Sequence, residues 1–365
     1  MFHHMLCAIT TMDMCRAMRK YRDPIFDLVK FVAIYLVVYG HVTGYRPGFE
    51  LRDCPSFAAN FIIAVNMPIF FVVSGYFSRR LHETGGWIKL SSRGVKYFWP
   101  LAVSSLCIAF LENNDFIEIP VAAIKKFLFG GWFLYALAGC DIITFVSYRL
   151  CKRPLVRIFC GVAFFFLALV LSGHFLHMSE IVAMIPFYWF GLMVLPEIMK
   201  SDRMLYYGAV VGAVVMCFVT FFYGNIATNG LAFYWDRFDV WNPHGRQFAN
   251  MLLRYAVGVV GSIFIIGTAK FVVRIAPRVS RVSYLGTETL GVYFLQGPII
   301  MHVVIPYVRL DANGLTLIMA SSFVFAAAFL VTKLIKLNKL LNVFFFGYIA
   351  YAYSKSANDP IEERG

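Results

Sequence analysis

Apolar residues run through the chain in long stretches, broken by short clusters of basic residues. A helix that crosses a bilayer needs about 20 mostly apolar residues. The stretches predict about ten such helices, over 26–45, 57–77, 97–112, 128–148, 157–175, 180–197, 204–224, 250–269, 286–306 and 314–335. The run at 97–112 is short for a span, and the stretch 116–130 is expected to enter the membrane and return. A last apolar run, 343–353, is too short to cross and is expected to lie along the interface. The longest polar connection, 225–249, is too short to fold as a soluble domain, and no internal repeat is visible. The expected fold is all-α: a polytopic transmembrane helical bundle of about ten spans. The N-terminal segment 1–25 precedes one membrane domain, 26–340, which leads into a short cytoplasmic or interfacial tail, 341–365.

Composition agrees with lipid as the main solvent. Sixty per cent of residues are apolar and 15% charged, whereas a soluble domain carries about 25% charge. The mean hydropathy is +0.70. A net charge of +13 would suit a nucleic-acid binder, but the basic residues sit in short clusters between apolar runs. Such clusters mark cytoplasmic loops under the positive-inside rule. With the N-terminus inside, inner segments hold 24 of the 33 lysines and arginines and outer segments hold 8, with Lys30 inside the first span. That asymmetry predicts that both termini are cytoplasmic. The 8 cysteines are scattered without a CxxC pair, so neither a zinc site nor a disulfide framework is expected. The opening MFHHMLCAITTMDMCR lacks a charged n-region and does not read as a signal peptide. His3 and His4 alone do not make a metal site.

The first span carries charge. Pro24 suits the start of a helix, where its missing N–H costs little. Asp27 and Lys30 are three apart and can pair. His41 follows Lys30 by eleven residues, which at 100° per residue is about three turns plus 20°. Both therefore project from one face, about 16 Å apart along the axis. Ionisable groups within a membrane helix usually face a polar cavity; the alternative is that Asp27 and Lys30 snorkel to the interface. His41 is the candidate for proton transfer near neutral pH.

Four segments taken together resemble the acyltransferase-3 family of membrane O-acyltransferases. The first is Asp27-Leu-Val-Lys30…His41, which keeps the family's Arg-x10-His spacing with lysine in place of arginine. That exchange keeps a cation and loses the planar fork. The second, Pro68-Ile-Phe70-Phe71-Val-Val-Ser74-Gly75-Tyr76, is similar to the family's PxFFxxSGY segment. Here Pro68 loosens the backbone, and Ser74 and Gly75 permit close helix approach; alone, the segment reads equally as a kinked packing helix. Gly131-Trp132-Phe133-Leu134 and Leu285-Gly286-Thr-Glu-Thr289-Leu-Gly-Val-Tyr293-Phe-Leu-Gln296 complete the likeness. Gln296 stands where the family has histidine and has no acid–base capacity.

The resemblance implies an acyl-CoA donor, with acetyl the expected acyl group, and a hydroxyl acceptor on a cell-surface glycan or similar molecule. It implies a multi-pass protein of the bacterial inner membrane, in contact with lipid and with no nucleic acid or bound cofactor. His41 is the expected general base; an acyl-histidine relay is the less favoured route. Lys30, Asp27, Ser74, Arg79 and Arg80 are the expected donor-side residues, with Arg93 and Lys96 as further inner cations. Trp235 and Trp241, in the stretch 225–249 where aromatic rings stand beside Asp236 and Asp239, are candidates for holding a sugar; as tryptophans they also suit the interfacial belt. A transporter or flippase without acyl chemistry is the alternative, since it too places polar groups in the membrane.

Overall fold

The computed structural model describes residues 23–44, 57–112, 116–150, 161–163, 177–222, 245–307 and 314–347. Among these the chain is helical and has no strand. Helices α1 (Pro24–Gly44), α2 (Phe57–Thr84) and α3 (Trp87–Glu112) are followed by a short α4 (Ile119–Phe129) and by α5 (Trp132–Leu150). Then come α6 (Met178–Met199), α7 (Asp202–Phe222), α8 (Gly245–Ile275), α9 (Thr289–Ile299), α10 (Gly314–Leu337) and α11 (Lys339–Phe346). Among the described residues, seven helices are long and apolar enough to cross a membrane; they lie in α1, α3, α5, α6, α7, α8 and α10. The chain is an integral membrane helical bundle.

Several boundaries differ from the sequence expectation. α3 begins at Trp87 rather than 97 and is 26 residues long, so this span is not short. Its first turns hold Lys89, Arg93 and Lys96, which read as loop because they are charged. The helix tolerates them because Lys89 and Lys96 stay exposed and Arg93 finds a buried carboxylate. The stretch 116–130 contains the 11-residue α4, about 16 Å long and too short to cross. It packs back along α3, where Lys126 pairs with Glu112 at 2.6 Å. Gly131, at φ +65°, reverses the chain into α5 in a conformation that favours glycine. The predicted span 157–175 lies outside the described residues except for 161–163.

The predicted span 286–306 is not one regular helix. A 3-10 segment, Tyr284–Glu288, leads into α9, and Pro298 inside α9 is followed by a π turn at Ile300–Val304. The helix expected from 343 starts earlier, at Lys339, because the Asn338 side chain accepts from the Leu340 and Leu341 amides at 2.9 and 3.2 Å. Asn338 is an N-cap of the usual kind.

Two close backbone contacts fix the frame around α1. A Cβ at Gly75 would collide with the Tyr188 carbonyl, and one at Gly191 with the Val72 carbonyl, so α2 and α6 touch backbone to backbone. A Cβ at Gly286 would collide with the Asp27 carbonyl, so the 3-10 segment lies directly on α1. That segment is also tied to α10: Glu288, only 5% exposed, accepts from Lys333 Nζ at 2.7 Å and from Lys336 Nζ.

Candidate functional site

Lys30, Ile34, Val37 and His41 recur on α1 at i, i+4, i+7 and i+11, which places them on one face within about 60°. Tyr97, Leu101, Ser104 and Ile108 repeat the same spacing on α3. These two faces, with one face of α9, enclose two cavities. The first, about 330 Å³, is lined by Lys30, Ile34 and Val37 of α1, Phe70 and Ser74 of α2, Lys96 and Tyr97 of α3, Phe133 and Leu137 of α5, and Thr289 and Tyr293 of α9. The second, about 540 Å³, is lined by His41, Ser104, Ser105, Lys125, Lys126, Gly131, Tyr293 and Gln296. Tyr293 lines both.

At the Lys30 end, Asp27 lies 3.5 Å from the ammonium, and the Phe77 ring lies under it at 5.1 Å. The Lys30 side chain is 31% exposed, so the cation reaches solvent at the rim of an otherwise apolar chamber. Lys96, exposed on the same rim, has no ion pair among the described residues. At the other end, His41 is half-buried and stands in side-chain hydrogen-bond reach of Gln296. Gln296 is 2% exposed and its Oε1 atom has no partner among the described residues.

The remaining sequence candidates are placed differently. Arg79 faces neither of these chambers. It pairs with Glu83 at 2.8 Å and lines a third cavity, about 260 Å³, with Ser147, Tyr148, Trp189 and Glu197. Arg80 is exposed on the same turn of α2. Trp235 and Trp241 lie outside the described residues. The structure therefore brings Lys30, Asp27 and Ser74 together at one chamber and His41 to the next, and leaves Arg79 and Arg80 outside both.

Sequence reasoning missed a buried polar network beside the Lys30 chamber. Asp141 of α5 accepts from Arg93 Nε at 3.0 Å, from the Tyr97 hydroxyl at 3.2 Å and from the Tyr188 hydroxyl. His82 Nε2 lies 2.7 Å from that same Tyr188 hydroxyl. Helices α3 and α6 thus meet α5 on one carboxylate whose side chain is 2% exposed, with His82 of α2 one bond further out. A polar group in a low-dielectric interior is costly unless every bonding site is filled, which is why the donors gather there. Asp141, alone within an apolar run on α5, was the available signal: a lone acid in a span needs partners.

The class this site defines is a membrane protein with a cationic chamber and a histidine chamber, both lined by the same tyrosine. The chain matches the acyltransferase-3 family, described as an acyltransferase domain, over residues 23–336. It belongs to that family and is a membrane acyltransferase. No similar chain is found among curated proteins or among solved structures.

Proposed function

We propose that the protein transfers an acyl group, acetyl in the first instance, from cytoplasmic acyl-CoA to a hydroxyl of a cell-surface glycan or similar acceptor outside the bacterial inner membrane. The observation that carries this is the pair of chambers that meet at Tyr293. In this reading the Lys30 chamber faces the cytoplasm, the side with the excess of basic residues, and the His41 chamber faces the opposite side.

In this reading the phosphates of CoA rest at the Lys30 and Lys96 rim, where two cations attract them. The pantetheine arm enters the apolar chamber between Phe70, Phe133 and Leu137. Lys30 and His41 are about 16 Å apart along the helix, a reach comparable to an extended pantetheine arm, so the thioester arrives near His41. The acceptor enters from the other side. His41 removes the proton of its hydroxyl, the oxygen attacks the thioester carbonyl, and CoA leaves as thiolate. Gln296 holds the imidazole ring in one orientation.

Purified protein in proteoliposomes, given acetyl-CoA labelled in the acetyl group and a panel of glycans, should label a glycan. Labelling should require Lys30 and His41. Binding of glycan with no loss of label from acetyl-CoA would instead describe a carrier.

A further inference from the structure

Resting on the acyl-transfer reading, we propose that Tyr293 is a catalytic residue: its phenol donates a hydrogen bond to the thioester oxygen as the tetrahedral intermediate forms.

Tyr293 lines both chambers. The ring is held in place by Phe133 at 5.7 Å and Phe294 at 5.4 Å between centroids. Tyr293 is half-buried, and its hydroxyl has no hydrogen-bond partner among the described residues, whereas the hydroxyls of Tyr97 and Tyr188 are both tied to Asp141. Buried phenols usually find a partner. One that borders open space and lacks a partner is available to a ligand oxygen. Gln296, one turn further along α9, is the neighbour of His41, so the same helix presents the phenol and orients the base.

The chemistry closes without any further reactant. The acceptor oxygen gives its proton to His41 and bonds to the carbonyl carbon. The carbonyl π pair moves to oxygen, where the Tyr293 O–H donates to the developing negative charge. When that pair returns, the carbon–sulfur bond breaks and CoA thiolate takes the proton from the imidazolium. The donor matters most when charge appears on oxygen, and removing one such donor typically costs about 10²–10³ in kcat.

The experiment is Tyr293→Phe in the full-length protein, reconstituted in proteoliposomes with acetyl-CoA as donor and a membrane glycan extract as acceptor. Release of CoA thiol is followed, and acetyl-CoA binding is measured on the same preparation. Phenylalanine keeps the ring and removes only the donor. The expected result is a kcat lower by about 100-fold with the apparent KM and the acetyl-CoA affinity close to wild type. A normal kcat in Tyr293→Phe beside an active wild type overturns the proposal and leaves the acyl-transfer reading standing. Loss of acetyl-CoA binding in Tyr293→Phe also overturns it, since the phenol would then serve the donor's ground state. A wild type that binds acetyl-CoA but releases no thiol overturns the acyl-transfer reading, and the role of Tyr293 falls with it.

Discussion

Arg93 Nε stands 3.0 Å from Asp141 Oδ2, in an ion pair whose carboxylate is 2% exposed. The pair joins α3 to α5, and through the Tyr97 hydroxyl it reaches the wall of the Lys30 chamber. Removing one partner of a buried pair leaves an uncompensated charge and costs about 3–5 kcal/mol. Asp141→Ala should therefore lower the unfolding temperature in detergent markedly. Asp141→Asn keeps the hydrogen-bonding shape and should lose less. Both should raise the apparent KM for acyl-CoA, because Tyr97 loses its tether. Equal stability of Asp141→Ala and wild type would mean that the network contributes nothing to the fold.

Gly286 rests on the α1 backbone at Asp27, and a Cβ there would meet a carbonyl that cannot move aside. Overpacking of this kind costs about 1–3 kcal/mol. Gly286→Ala should lower the unfolding temperature and, by pushing on the turn that carries Lys30, weaken acyl-CoA binding. Gly94 on α3 supplies the control, since a Cβ there meets nothing within 4 Å. Gly94→Ala should be neutral or stabilising by up to about 1 kcal/mol, because glycine is a poor helix former. Thermal unfolding of the two variants side by side checks the contrast.

How much of this was legible beforehand depends on the range of the interaction. The Lys30–Ile34–Val37–His41 face follows from helical periodicity within one segment, but that Lys30 lines one chamber and His41 another does not. Close approach at Gly75 was equally readable, because adjacent small residues, Ser74 and Gly75, in a membrane helix permit it. The Glu288 cluster was not readable: Lys333 and Lys336 lie on α10, and in the sequence they look like ordinary inner-loop lysines. Arg79 misled for a similar reason. It sits five residues after Ser74 on α2, but a helix turns 500° over that interval, about 140° away from the Ser74 chamber. Gln296 was set aside for lacking acid–base chemistry, whereas the structure puts it in hydrogen-bond reach of His41, a neighbour that residue type alone does not reveal.

Membrane orientation has its own test. The excess of basic residues on one side, 24 against 8, predicts that both termini are cytoplasmic. A reporter fused after Gly365 should read inside, and a tag inserted near position 230 should read outside. An external C-terminal reporter would reverse the assignment of the two chambers to donor and acceptor.

Lys30 and Arg79 separate two accounts of donor binding. Lys30 borders the apolar chamber, while Arg79 is paired with Glu83 and faces another cavity. Lys30→Ala should raise the apparent KM for acyl-CoA more than it lowers kcat, and Arg79→Ala should change neither. Added salt should weaken acyl-CoA binding to the wild type, because charges at an exposed rim are screened within about 10 Å at 0.1 M. The salt dependence should be shallower in Lys30→Ala. Isothermal titration with CoA across a salt series gives both numbers, and an unchanged affinity in Lys30→Ala would assign that lysine to the membrane interface.

His41 decides the mechanism. It lines the second chamber with Gln296 as its neighbour, on the face of α1 that also carries Lys30. General-base catalysis contributes about 10²–10⁴-fold, so His41→Ala and His41→Gln should each lose at least about two decades in kcat. Insertion should survive, because replacing a polar residue in a membrane helix by a less polar one does not oppose insertion. Acyl-CoA affinity should survive as well, since the rim that holds the phosphates lies about 16 Å away along the helix. Glutamine preserves much of the size and the hydrogen bonding of histidine but cannot accept the proton, so it should fare no better than alanine. Gln296→Ala makes the complementary variant: it leaves the base in place and frees its ring, and should lower kcat less than either change at His41. The three variants are compared by CoA thiol release at saturating acetyl-CoA. Near-normal turnover in a well-inserted His41→Gln protein would remove His41 as the base and return the choice of nucleophile activation to the acceptor itself.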